Sequence, residues 1–287
     1  MCLRTNKPLW ILSLLAASVA AVTSNAMADL VKSGDVSPGG PGGDWSIGSN
    51  LDGTVTLSGG SVIASRDIYV AMNYDRIGAH GTMNVTTGAT WSNDYILLGA
   101  YGTGVLNISS GGQVTTGFSK MGADYFSGAN GTANITGSGS SWTLGGTLGG
   151  KLSIGGYGIG RLNITNGGVV SNGRGDLGAG PSANGKAIVD GAHSQWNNSG
   201  FLNVGNEGTG KLSISNGGTV TSNGAAINYI QNNNDCSVAV TGAHSTWTNT
   251  GNLKLRTCPK TIPCFEGGGE SCSSTEGRPR GGSVGCF

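Results

Sequence analysis

Charge is scarce in this sequence of 287 residues: only 11% of them are Asp, Glu, Lys or Arg, and the formal net charge is +1. A chain without a basic excess lacks the electrostatic field that draws proteins onto nucleic acid or anionic lipid, so we expect no nucleic-acid partner. Cysteine is nearly missing from residues 29–255, which contain only Cys236. That part of the chain therefore cannot form a disulfide framework of its own.

Long apolar runs are also missing, apart from one at the N-terminus. Arg4 and Lys7 precede an uncharged apolar stretch at residues 9–22, and residues 26–28 read Ala-Met-Ala. The stretch is too short to span a bilayer comfortably, and small residues before Asp29 suit cleavage by signal peptidase. We interpret residues 1–28 as a secretory signal peptide of bacterial type and predict export across the inner membrane.

Glycine is what the sequence has in abundance, with 55 residues. There is no strict Gly-X-Y period, which excludes collagen. Leu, Ile and Val alternate with polar residues throughout the chain, a pattern that a disordered chain would not keep. The composition therefore indicates tightly turned structural repeats.

Two kinds of repeat unit alternate, and successive units start about 25 residues apart. The first unit reads GVLNISSGGQV at residues 104–114, GRLNITNGGVV at 160–170 and GKLSISNGGTV at 210–220. The second unit ends in tryptophan and reads GTMNVTTGATW at residues 81–91, GTANITGSGSSW at 131–142, GKAIVDGAHSQW at 185–196 and CSVAVTGAHSTW at 236–247. The tryptophans at positions 45, 91, 142, 196 and 247 are separated by 46, 51, 54 and 51 residues.

Each unit contains a short strand signature that is apolar at alternate positions and bounded by Gly-Gly or Asn-Gly turns. Such strands cannot bury an apolar face alone, so identical faces must stack on their neighbours. A propeller blade would need about 40 residues and four antiparallel strands. We therefore predict an all-β fold, a right-handed parallel β-helix (solenoid) of about nine coils over residues 29–255.

The predicted coils assign positions to three kinds of residue. Glycines supply positive φ at the corners. Asn84, Asn107, Asn134 and Asn163 are expected in register on the outer side of one strand. Trp91, Trp142, Trp196 and Trp247 are expected to cover apolar surface at alternate corners, which is favoured over an exposed aromatic row that binds sugars.

The GxLxIxNGGxV half of the repeat, paired with the GxxSxW half at residues 191–196 and 242–247, resembles the passenger repeats of autotransporters, the type V secretion family. The resemblance covers nearly all of the stretch from residue 45 to residue 255. It implies a β-helical stalk that is displayed on or released from the outer membrane of a Gram-negative cell, often for adhesion. It also implies a C-terminal barrel translocator, which this chain does not contain.

The repeat stops after Leu255, and residues 256–287 have a new composition with Cys258, Cys264, Cys272 and Cys286. We interpret this segment as a non-repetitive, disordered tail. Our hypothesis is that a frameshift or truncation replaced the continuation that carries the barrel.

An enzyme is considered because some parallel β-helices degrade polysaccharides with paired carboxylates. The acids weighed for this role are scattered over different phases of the repeat: Asp67, Asp75, Asp94, Asp124, Asp176, Asp190, Glu207 and Asp235. Residues 42–44, Gly-Gly-Asp, are only a single lookalike of a calcium-binding repeat. We predict no catalytic, cofactor-binding or metal-ligating residue, and interpret His193 and His244 as repeated corner residues.

One short motif points to a partner. Arg174-Gly175-Asp176 precedes Leu177 in a predicted turn, and some adhesins present this tripeptide to integrins. The motif is short and carries a high false-positive rate.

The resulting hypothesis is a non-enzymatic, adhesin-like surface passenger without cofactors. Its partner would be a host-cell or extracellular-matrix ligand, or a neighbouring cell. Intact relatives would lie at the cell surface, and this chain in the periplasm or outside the cell. The alternatives are a polysaccharide-degrading β-helix enzyme and a nonfunctional truncated remnant.

Overall fold

The computed structural model describes residues 29–37, 42–71, 78–122, 129–146, 149–229 and 235–256, and within these ranges it contains strands and turns but no helix. The predicted signal peptide and, apart from Arg256, the predicted tail lie outside these residues. The strands in chain order are β1 (Asp29–Gly34), β2 (Val36–Ser37), β3 (Trp45–Ile47), β4 (Gly53–Ser58), β5 (Val62–Ala64), β6 (Asp67–Val70), β7 (His80–Val85), β8 (Thr90–Leu98), β9 (Thr103–Ser109), β10 (Gln113–Met121), β11 (Asn130–Thr136), β12 (Ser141–Leu144), β13 (Lys151–Ile154), β14 (Ile159–Thr165), β15 (Val169–Asn172), β16 (Arg174–Leu177), β17 (Asn184–Asp190), β18 (Gln195–Asn198), β19 (Leu202–Val204), β20 (Thr209–Ser215), β21 (Thr219–Ser222), β22 (Ala225–Ile227), β23 (Ser237–Thr241), β24 (Thr246–Asn249) and β25 (Leu253–Leu255).

The strands form three parallel stacks, and each coil of the chain contributes one strand to each stack. Stack 1 contains β4, β7, β9, β11, β14, β17, β20 and β23. Stack 2 contains β5, β12, β15, β18, β21 and β24, and stack 3 contains β3, β6, β13, β16, β19, β22 and β25. The long strands β8 and β10 belong to both, because each passes the corner between stack 2 and stack 3 without a break.

The predicted parallel β-helix is confirmed, with fewer coils than expected. The sheet that contains stack 1 has nine strands, namely the antiparallel β1 and the eight parallel strands of stack 1. The steps between eight stacked strands amount to about 7 turns, against the nine coils predicted. The difference arises because the first residues of the predicted repeat domain run antiparallel to the coils.

Trp91, Trp142, Trp196 and Trp247 are each the second residue of a stack 2 strand and pack against the core, so their expected place at the corners is wrong. The register alternates a large and a small side chain up one inner column: Ile63, Trp91, Val114, Trp142, Val170, Trp196, Val220 and Trp247. Trp91, Trp142 and Trp196 are 0% exposed. Neighbouring coils are only about 4.8 Å apart, so a valine between two indoles gives each ring room.

Trp45 does not belong to this column, although its spacing suggested that it did. It lies in β3 of stack 3, opposite Ile68. Its ring meets that of Trp91 edge-on, with centroids 4.9 Å apart and an interplanar angle of 79°. The first interval of the tryptophan series therefore joins two different stacks.

The Asn-Gly-Gly turns are present as predicted. Two constraints select their residues: a left-handed backbone conformation and close approach between coils. Asn166 and Gly167 have left-handed φ values of 53° and 84°. Gly168 needs no special φ, but a Cβ there would lie 2.4 Å from the Ile135 carbonyl oxygen of the preceding coil. Glycine at the third position is thus required by close approach between coils.

The serine of the GxxSxW half joins successive coils through the same turn. Ser194 Oγ accepts a hydrogen bond from the Gly167 N–H at 3.1 Å and donates one to the Asp190 carbonyl at 2.7 Å. Ser140 and Ser245 accept the equivalent bond from the coil below them. A buried hydroxyl therefore satisfies a turn N–H in three coils.

The predicted asparagine ladder is present on the outer side of stack 1. Each amide donates to the side chain one coil earlier: Asn107 to Asn84 at 2.9 Å, Asn134 to Asn107 at 2.8 Å and Asn163 to Asn134 at 2.8 Å. An amide suits this place because it donates and accepts at once, so identical residues pair without a charge.

Replacing Trp196 by alanine should lower the free energy of unfolding by about 3–5 kcal/mol, because it empties the middle of the core column and leaves Asn172 without its indole donor. Trp247→Ala is the matched control, since Trp247 is only partly buried at the last coil. Urea unfolding of both variants, followed by circular dichroism, measures the two losses. Equal losses would contradict the packing described for this column.

Candidate functional site

The outer face of stack 3 carries charged and aromatic side chains side by side. Its central outward column reads, in register, Ser46, Tyr69, Leu97, Lys120, Ser153, Asp176, Asn203, Ala226 and Lys254. In a chain with so few charges, this concentration makes the face the first place to look for chemistry.

An arginine joins two aspartates at the N-terminal end of this face. Arg66 Nε donates to Asp44 Oδ1 at 2.9 Å, and a terminal guanidinium nitrogen donates to Asp44 Oδ2 at 2.7 Å. The same Nε lies 3.7 Å from Asp67 Oδ2, to which the Tyr69 hydroxyl donates at 3.4 Å. We call Asp44, Arg66, Asp67 and Tyr69 the acidic cluster.

The two carboxyls of the acidic cluster have pKa values displaced in opposite directions. The hydrogen bond from Arg66 lowers the pKa of Asp44. Desolvation raises the pKa of Asp67, and repulsion from Asp44 raises it further. There is therefore a pH range in which Asp67 is protonated while Asp44 is ionised, the division of roles that a general acid and its partner require.

Sequence reasoning missed this pair. Asp44 was not weighed among the acids, because residues 42–44 suggested only a calcium-binding lookalike. Trp45 and Ile68 are partners on adjacent coils, which places the residues before them, Asp44 and Asp67, on adjacent coils as well. The acids weighed from the sequence were scattered over the repeat, and the pair became visible only with Asp44 included. The pairing of Trp45 with Ile68 in stack 3 would have placed Asp44 beside Asp67. The sequence did not indicate this pairing, because the spacing of Trp45 suggested that it belonged to the tryptophan column of stack 2.

Aromatic rings continue the face above the acidic cluster. Tyr95 and Phe118, on adjacent coils, stack with centroids 5.2 Å apart and an interplanar angle of 16°. Burial raises the pKa of Tyr95 to about 12. Farther along, Lys120 Nζ lies 4.5 Å from the centre of the Tyr157 ring, a cation–π contact.

The Arg174-Gly175-Asp176 tripeptide forms most of strand β16, so its expected place in a turn is wrong. The side chain of Asp176 is 0% exposed. It accepts hydrogen bonds from Arg174 Nε at 3.0 Å and Asn203 Nδ2 at 2.6 Å, and lies 3.1 Å from Lys151 Nζ. In this fold the carboxylate is not accessible to a receptor.

The glycine of the tripeptide also has a structural role. Gly175 points inward, where a Cβ would lie 2.7 Å from Asn198 Oδ1 and 2.9 Å from the Trp196 ring. All three residues of the motif are thus explained by packing and by ion pairing within the solenoid.

A shallow groove of about 500 Å³ lies at the corner between stack 2 and stack 3. Apart from Leu144, its lining is polar and uncharged: Gly145, Gly149, Gly150, Ser171, Asn172, Gly173, Asn197, Asn198, Ser199 and Thr221. Asn172 Nδ2 donates a hydrogen bond to Asn198 Oδ1 at 2.7 Å, so these two amide groups already bind each other. The described residues that line the groove include no carboxylate, histidine, lysine or cysteine, so nothing there could act as a general base for the serine and threonine hydroxyls.

Of the remaining sequence candidates, Asp75 and Asp124 lie outside the described residues. His193 and His244 have φ values of 66° and 64° in equivalent turns, which confirms that they are repeated corner residues. Among the residues that the structure describes, no group of three or more His, Cys, Asp or Glu side chains is arranged to hold a metal ion. The same residues include no helix of the length and apolarity that a membrane crossing requires.

Comparison with known proteins returns no match: no family model, no curated protein and no solved structure is similar to this chain. The fold therefore rests on the repeat and on the stacks alone.

Replacing Asp176 by asparagine should lower the free energy of unfolding by about 2 kcal/mol, since the buried amide cannot keep the hydrogen bonds that the carboxylate accepts from Arg174 and Asn203. Asp235→Asn is the control. Asp235 also pairs with a lysine, but its side chain is 79% exposed, and we expect a loss below about 1 kcal/mol. Urea unfolding at neutral pH compares the two, and similar losses would show that the Asp176 network is not a buried ionic centre.

Proposed function

We propose that this chain is the stalk of an exported surface structure, a non-enzymatic, adhesin-like passenger of the autotransporter kind. The observation that carries the proposal is the unbroken pairing of all three stacks from the first coil to the last. A rod of this construction holds whatever it presents at a set distance from its anchor.

The sides of the solenoid support a structural role. The outer side of stack 1 carries an amide ladder beside a column that includes Arg161, Lys186 and Lys211, and the turns of the GxxSxW units are joined by buried serines. These groups join coil to coil and leave no convergent reactive centre on that side. Rigidity along the axis is what they provide.

Export rests on residues 1–28, which have the pattern of a signal peptide, and on the repeat itself, which resembles passenger repeats. The partner would be a host-cell or matrix ligand, or a neighbouring cell. Because Asp176 is enclosed, any such contact would use other residues than the Arg174-Gly175-Asp176 tripeptide.

Expressed in a Gram-negative host, the chain should leave the cytoplasm and begin at Asp29, because the signal peptide is removed. Fractionation followed by N-terminal sequencing measures this, and antibody labelling of intact cells tests for display at the surface. Ala28→Lys is the control, since a charged residue at the cleavage site should retain the leader. Recovery of the unprocessed chain from the cytoplasm would end the export proposal.

A polysaccharide-degrading enzyme is the second candidate, and the acidic cluster favours it. Hydrolysis would break the glycosidic C–O bond and join the carbon to the oxygen of water. Protonated Asp67 would give its proton to the leaving oxygen, and ionised Asp44 would take one from the water. The aromatic rings of Tyr69 and Tyr95 lie beside this pair on the same face.

If this second candidate holds, the purified chain should release reducing ends from at least one of a panel of bacterial and plant polysaccharides. Asp67→Asn should then lower the rate about 100-fold or more, because the general acid is lost. Asp235→Asn, at the opposite end of the solenoid, should leave the rate unchanged. No release by the unaltered chain, or equal rates in both variants, would exclude hydrolysis at the cluster.

A further inference from the structure

The last coil of the solenoid presents an open edge in all three stacks. β23, β24 and β25 each pair with the preceding coil through one side only. Within the described part of the chain, no strand pairs with their other sides. A row of unpaired backbone N–H and C=O groups of this kind is a template for another strand.

The side chains of this edge favour pairing. Val240 and Trp247 pack against the core yet remain only partly buried, whereas Trp196 is 0% exposed two coils earlier. Leu255 is 64% exposed. Residues 236–255 contain no proline, and Lys254, their one Lys, Arg, Asp or Glu, lies in an outward column. The strands of this edge are short, but proline and inward-pointing charge, which often protect a sheet edge, are missing from residues 236–255.

At the opposite end of the solenoid, the chain covers two of the three stack edges with antiparallel strands. β1 runs antiparallel along the whole of β4, from the Asp29–Ser58 pair to the Gly34–Gly53 pair, and β2 runs antiparallel to β3. These strands occupy the N-terminal edges of stack 1 and stack 3. β5 of stack 2 pairs only with β8 among the described strands. The N-terminal end therefore lacks the three parallel edges onto which the coils of a second copy could continue head to tail.

We propose that the C-terminal edge pairs with the same edge of a second copy, which gives a closed dimer with a two-fold axis. Two identical edges that meet end to end must run antiparallel, as the capping strands do at the other end. With the axis through stack 2, β24 pairs with itself, and β25 of each copy pairs with β23 of the other.

The charges at this end match that arrangement. β25 finishes and β23 begins at the same corner of the triangle, where stack 3 leads into stack 1. The antiparallel pairing thus brings Arg256 of one copy opposite Asp235 of the other. Asp235 is highly exposed and Arg256 is exposed, so both can reach across, and the two-fold axis forms the contact twice. The dimer goes beyond the proposed function and does not require export.

The test is the mass of the purified full chain in solution, measured by light scattering over a range of concentrations, with a dimer expected. Val240→Lys places a charge on the inner side of the edge, where water reaches it in a monomer but not in the dimer. We expect the dissociation constant to rise about tenfold or more. Ala239→Lys is the matched control, because its side chain points outward from the same strand, and it should leave the dimer intact.

A charge exchange tests the orientation independently and does not disturb the core. Asp235→Arg alone should weaken the dimer, and the double variant Asp235→Arg with Arg256→Asp should restore it. A monomer at every concentration would overturn the proposal and leave residues 257–287 as the cover of the edge. Polymers that grow with concentration would overturn it too, and so would a dimer that neither Val240→Lys nor Asp235→Arg weakens.

Discussion

The backbone ladder between successive coils is the interaction on which the whole molecule depends. It sets the coils about 4.8 Å apart and places equivalent residues directly above one another. Every side chain must therefore tolerate its counterpart in the coils below and above. The tryptophan column shows the result, since Trp142 is separated from Trp91 and Trp196 by Val114 and Val170.

The same constraint explains why the chain has so little charge. Amides can stack on amides, as in the ladder from Asn84 to Asn163, because each donates in one direction and accepts in the other. Like charges that share a register position repel each other, as Arg161, Lys186 and Lys211 do on the outer side of stack 1, and water must screen them there. Lys151 and Arg174 are paired on adjacent coils, and the buried carboxylate of Asp176 lies between them. These two cations thus share one counter-charge.

The sequence predicted the fold well because repetition reports directly on stacking. The alternating strand signatures and the Asn-Gly-Gly turns needed only local geometry. The site was harder, because it lies where the repeat is least regular: Asp44 and Arg66 precede the first complete tryptophan unit. The Arg174-Gly175-Asp176 motif misled for a related reason. A tripeptide motif alone does not indicate that Gly175 faces Trp196 or that Asp176 binds Asn203.

The alternation of tryptophan and valine also restricts how such a gene can change its length. Duplication or loss of a single coil would bring two identical residues together in the inner column. Two adjacent indoles would clash, and two adjacent valines would leave a void. Two coils, about 50 residues, are therefore the smallest block that recombination can add or remove while the core stays filled. The inner column thus requires that coils are gained or lost in pairs during evolution. The outer surface imposes no such requirement.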